Sequence, residues 1–173
     1  MSANLLDPAW NAYLAIGDCI RIARRTLRNG GITTHSRLDV LLISPPTPEE
    51  RVSDAADKAN DYVIFAMWAE FERFLIEFIS SKTDCIKTGT PTGLTADIRD
   101  HVYVSIEYSR IDELLDILKT LIDPDVVGQL KQIKQYRDWL AHKNPSKGTP
   151  SKTDPKTAYA LLSATIEQIR SAT

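Results

Sequence analysis

This chain has little of what would announce a chemistry outright. Its only two cysteines in 173 residues, Cys19 and Cys85, are far apart and show no metal-ligand spacing. That argues against a disulfide framework and a thiolate zinc site, and predicts two buried thiols in a reducing compartment. Histidine occurs three times, as His35, His101 and His142. Asp97 and His101 stand at i, i+4 but lack a third ligand, so they are expected to form a surface pair; no metal and no cofactor is expected. No signal peptide is expected ahead of the cysteines. The longest uninterrupted apolar run, Tyr62 to Ala69, is far too short to span a bilayer. A soluble, cytoplasmic protein is expected, without a membrane partner. There is also no excess of positive charge. The net charge is −2 and the sequence pI about 5.9, so a polyanion would need a local patch rather than an overall field.

What is present is ordinary globular material, 43% hydrophobic and 25% charged, enough for one domain over 1–173 with a substantial core. Asp7-Pro8 starts a helix, Tyr13, Ile16, Ile20, Ala23 and Leu27 form its apolar seam, and Asn29-Gly30-Gly31 ends it. Arg21, Arg24, Arg25 and Arg28 stack on another face of that helix. They are either a solvated face favoured near a helix C-terminus or a phosphate-facing, RNA-binding stripe. Residues 30–48 form an irregular excursion, with a short helix capped at 36–39 and running through Leu41 to Ile43, or a brief strand over Val40 to Ile43. Thr47-Pro48-Glu49-Glu50 is a capping box opening a helix to about Ser81. Its seam is Val52, Ala56, Ala59, Val63, Met67, Phe71, Phe74 and Phe78. Glu70 falls on or beside that face, where it either pairs with Arg73 or looks across the bundle at Arg137. A loop over 83–95 and a helix over 96–108 with strand-like content follow, then a helix from Ser109 that buries Leu114, Leu115, Leu118 and Leu121 and stops before Asp123. Asp123-Pro124 and Asp154-Pro155 open the last two helices. The sum is an all-α, up-and-down helical bundle of five to six helices.

The most informative stretch runs from Gln132 to Pro145. Val126, Leu130, Ile133 and Leu140 form an apolar seam, and Arg137 occupies a place in it where an apolar residue is expected. A guanidinium stays charged, so on a packed face it needs an anion, an interface or water. His142 follows five residues later, where Pro145 forces the helix to stop. Residues 143–154 then make a basic loop carrying Lys143, Lys147 and Lys152.

Tyr136-Arg137-Asp138-Trp139-Leu140-Ala141-His142, followed by Asp154-Pro155 and a closing helix, resembles the motif of the HEPN superfamily, small helical-bundle proteins many of which are metal-independent endoribonucleases. The likeness is sharp over 136–170 and diffuse over 49–80, where Phe71-Glu72-Arg73-Phe74-Leu75 is similar to the family's long aromatic helix. Lys143 stands where relatives often carry glycine. The resemblance implies Arg137 and His142 as catalytic residues, RNA as substrate, a homodimer, and a toxin or defence role with a neutralising antitoxin or partner protein. The chemistry suits those residue types. Attack of a ribose 2′-hydroxyl on its own phosphate needs proton transfer, which an imidazole supplies, and charge neutralisation, which a guanidinium supplies. Asp138 would orient either residue, and Lys143 and Lys147 would hold the backbone. Positions five apart on a helix point about 140° apart, so one copy cannot aim both groups at one phosphate, whereas two copies about a two-fold axis can. Tyr136 and Trp139 are candidates for that interface or for the core. Alternatives are a non-catalytic module binding RNA, nucleotide or a protein, and a partner-binding helical protein.

Overall fold

The computed structural model describes residues 4–29, 45–142, 148 and 150–172. Within them lie six α-helices and no strand, an all-α bundle. They are α1 (Asp7–Arg28), α2 (Pro48–Ser81), α3 (Thr92–Glu107), α4 (Ile111–Ile117), α5 (Pro124–His142) and α6 (Pro155–Ser171), with 3₁₀ turns at Lys82–Thr88 and Leu118–Thr120. No described helix is long and apolar enough to cross a membrane. The expected helix or strand over 36–43, and the remainder of the excursion up to residue 44, lie outside the described residues, as do Lys143 and Lys147.

The long central helix α2 begins as its sequence requires. The Thr47 hydroxyl accepts from the Glu50 amide (3.3 Å), and the Thr47 amide donates to the Glu50 carboxylate (2.8 Å). Its buried face is centred on Ile64, Met67, Trp68, Phe71 and Leu75. Phe74 and Phe78, expected in the seam, flank it half-buried. Against this face pack Leu114, Leu115 and Leu118, then Val127, Leu130 and Ile133 of α5, then Leu162, Ile166 and Ile169 of α6. Leu121, expected inside with the other leucines, is 43% exposed, and Ile111 and Ile122 are buried instead.

Helix α1 lies along α2 and ties its first half to α6. Trp10 stacks on Tyr159 with ring centres 4.6 Å apart, the Tyr159 hydroxyl donates to Asp7 (2.7 Å), and the Tyr13 hydroxyl donates to Asn60 (2.7 Å). Ile16, assigned to its seam, is 47% exposed.

The segment from 92 to 107 is helical throughout despite its β-branched content; Ile106 is buried and Val102 half-buried, while Ile98 and Ser105 face out. Cys19 and Cys85 are both exposed, which corrects the expectation of buried thiols. The reason is positional: Cys19 lies off the narrow face by which α1 meets α2, and Cys85 sits in the peripheral turn after α2, its Sγ 3.0 Å from the Lys82 carbonyl.

Candidate functional site

Helix α5 delivers Arg137 and His142 because its apolar face anchors it on α2 up to Tyr136. The Asp123 side chain accepts from the Asp125 amide (2.8 Å) at its start. Val127, Leu130, Ile133 and Tyr136 are buried along it. Tyr136 is therefore a core residue, and its hydroxyl donates to Asp61 of α2 (2.9 Å). Burial first, and then that hydrogen bond and the neighbouring carboxylate charge, push the phenol up to about 12.

Arg137, the next residue, lies at the edge of the same contact with its side chain 21% exposed. Its guanidinium centre is 5.8 Å from the rings of both Phe65 and Trp68. One terminal nitrogen pairs with Glu72 and the other donates to Asp138 (3.0 Å). Glu72 is itself fixed, accepting from the Trp68 indole nitrogen (2.9 Å). Asp138 divides its two oxygens, one to Arg137 and the other to Lys134 (2.8 Å), and Lys134 also reaches Asp112 on α4 (3.0 Å). Burial lowers the basicity of Lys134, but its hydrogen bonds to Asp138 and Asp112 outweigh that and hold the ammonium above its usual value. An unbroken chain of polar contacts thus runs from Trp68 through Glu72, Arg137, Asp138 and Lys134 to Asp112.

His142 ends α5, exposed, and lines an open cleft of about 490 Å³ together with Asp112, Lys131, Lys134, Gln135, Asp138, Trp139, Gly148 and Pro150. Arg137 does not line that cleft. The two residues point to different sides of α5, as their five-residue spacing requires, and Asp138 is the one side chain that touches the guanidinium and also borders the cleft. Trp139 is half-buried on its wall.

The acidic partner of Arg137 is Glu72, not Glu70. Because α2 is centred on Phe71 rather than on Phe74, Glu70 falls about 120° from the centre of the buried face and is exposed, while Glu72 lies at the edge nearest α5. Nor does Arg73 pair with Glu70: it pairs with Glu77 (2.8 Å) and with Glu107 of α3 (3.1 Å). Phe65, Trp68 and Glu72 share one stripe of α2 at helical spacing, the signal that identifies the cradle. On α5, Lys131 and Lys134 are matched by Asp116 and Asp112 of α4, which share a face there. Both patterns are legible once the neighbouring helix is known.

Arg21, Arg24, Arg25 and Arg28 are all exposed on α1, away from the α5 cleft. Asp97 and His101 are exposed on α3. Among the described residues no group of three or more His, Cys, Asp or Glu is placed to hold a metal ion.

Compared with protein-family models, with curated proteins and with solved structures, the chain matches none. Its function must therefore be inferred from the geometry of α5 and its surroundings.

Proposed function

We propose that the chain is a metal-independent endoribonuclease of the HEPN type that cleaves single-stranded RNA as a homodimer. The observation that carries this reading is the preorganisation of Arg137. Two carboxylates and two aromatic rings fix its guanidinium, about one helical turn before an exposed His142 on a cleft lined by two lysines and two aspartates. Held groups stabilise developing charge without reorganising at the moment of reaction. Arg137 would neutralise the phosphate while a ribose 2′-hydroxyl attacks it. His142 would move the proton, taking it from the nucleophile or giving it to the departing 5′-oxygen. The products of that transesterification are a 2′,3′-cyclic phosphate and a 5′-hydroxyl.

On this reading a second copy supplies the other member of the pair, because the two side chains point to different sides of α5. The pocket beside Arg137, in which Tyr62, Phe65 and Leu140 are flanked by Lys58 and Asp61, supports a contact there: Tyr62 is 69% and Phe65 43% exposed. In such a pair the guanidinium of one protomer and the imidazole of its partner meet on one linkage. A toxin or defence role, held in check by an antitoxin or partner protein, belongs to the same proposal.

The test is degradation of single-stranded RNA in the presence of chelator. His142→Ala and Arg137→Ala should each remove that activity while leaving the far-ultraviolet circular dichroism unchanged, and His142→Ala should relieve any toxicity on overexpression. A second reading is favoured by the same Glu72–Arg137 pair, which already balances the guanidinium. In that case the chain is a non-catalytic module, and RNA or a nucleotide is bound without being cut.

A further inference from the structure

The end of the molecule formed by the C-terminal half of α1 and the N-terminal half of α2 contributes little to the core. Helix α1 has no buried residue, Val52 is the one buried residue in the first half of α2 before Val63, and Ile22 is 66% exposed. What this arm carries is charge. Arg21, Arg24, Arg25 and Arg28 lie within about 100° of one another around the helix. Together with Asn29 they line an open surface cleft of about 510 Å³. Arg21 is paired with Asp18, and the Arg28 Nε donates to the Arg24 carbonyl (3.4 Å). Arg24, Arg25 and Arg28 meet no carboxylate among the described residues.

Such an arrangement is unfavourable for an isolated helix. Like charges at i, i+4 repel by a few tenths of a kcal/mol each, and the helix dipole offsets that only within the last turn, which Arg21 and Arg24 precede. The stripe is therefore best explained by an anion that binds it. Guanidinium groups match phosphate oxygens in a planar fork, and four in a row suit a repeating anion better than a single one.

The surroundings extend this surface along the flank of the arm. On the flank of the arm a second cleft, of about 300 Å³, joins Arg21 and Arg24 to Asp57 of α2. Asp57, the one carboxylate lining this second cleft, is already matched by Lys152 (3.1 Å). A phosphate backbone that passes from one cleft to the other therefore meets no unpaired acid at Asp57.

We infer that the arginine face of α1 is a second binding site, taking the phosphodiester backbone of single-stranded RNA at a distance from the reacting linkage. That the nucleic acid is RNA rests on the reading above; the binding does not depend on cleavage. The experiment is fluorescence anisotropy with a labelled 2′-O-methylated oligoribonucleotide about a dozen residues long, which lacks the nucleophile, measured over a series of salt concentrations. Against the native protein, Arg24→Gln/Arg25→Gln/Arg28→Gln should bind about tenfold or more weakly at low salt. The slope of log affinity against log salt should shrink by about 2, at roughly 0.7 for each phosphate of a single strand that is no longer neutralised. Arg24→Lys/Arg25→Lys/Arg28→Lys should keep most of the slope, and Arg24→Gln alone should reduce it by about 0.7. Unchanged affinity and slope in the glutamine variants, or no binding by the native protein, would overturn the inference. If native protein binds with the stated slope but cuts no RNA, this site stands and the nuclease reading fails.

Discussion

Arg137 shows how one charged side chain can be tolerated at a helix contact. Its cost of burial is offset by Glu72, Asp138 and two ring faces, and Glu72 is in turn fixed by the Trp68 indole. Removing the middle of that chain should therefore be felt at both ends. Glu72→Ala leaves the indole nitrogen and one guanidinium nitrogen without an acceptor, and should lower unfolding free energy by roughly 1–3 kcal/mol in urea titrations. Glu72→Gln should recover part of that loss, because the amide oxygen still accepts. Tyr136 supplies a pH signature. With its pKa raised from 10.0 to about 12, the fold favours the protonated phenol. Its contribution is therefore complete below the ordinary tyrosine pKa and fades as pH climbs through the raised one. The loss should reach roughly 2–3 kcal/mol at the top of that window. Tyr136→Phe should flatten the alkaline limb of the stability profile, read by denaturant titration at stepped pH.

At the scale of the helices, legibility followed local chemistry. The start of α2 was readable because Thr47, Pro48 and Glu50 act on one another within a single turn, independently of the rest of the fold. Thr47→Ala should cost about 1 kcal/mol. The Glu50 carboxyl is held below its ordinary value by hydrogen bonds from the Thr47 backbone and then its side chain, which makes the cap acid-sensitive. That contribution is present above the usual glutamate pKa and fades as pH falls through the depressed one. Glu50→Gln has no carboxylate to protonate, so its stability should fall less steeply on acidification than that of the native chain. The caps at Asp123 and Asp154 were legible for the same reason as the Thr47 cap. Orientation was harder to read. Phe74 and Phe78 drew the expected seam of α2 away from its true centre at Ile64, Phe71 and Leu75, and that displacement alone selected Glu70 in place of Glu72. Aromatic residues at the margin of a core are as apolar as those inside it, and only the packed neighbour decides between them. The cleft under His142 was illegible for a similar reason, since Asp112 and Lys131 come together only once α4 folds against α5.

For the molecule as a whole, the division of labour runs along α2. Its second half supplies the core, its middle holds Arg137, and its first half joins α1 in an arm dominated by charge. The exposed pocket at Tyr62, Phe65 and Leu140 lies on the middle section, where a second copy would sit in the proposed dimer. Phe65→Asp should shift the protein from dimer to monomer in analytical ultracentrifugation and abolish RNA cleavage with it. The circular dichroism should stay native, because Phe65 is only partly covered within one chain.

The most direct measurement is subunit complementation. Arg137→Ala and His142→Ala proteins, each inactive alone, are mixed at equal concentration under conditions where protomers exchange, and RNA cleavage in chelator is followed. If the reacting linkage takes its guanidinium from one protomer and its imidazole from the other, half of the dimers are mixed and each keeps one intact site. Activity should then return to about a quarter of native. A mixture that stays inactive, although native gel or mass analysis shows the mixed dimer, would contradict the account.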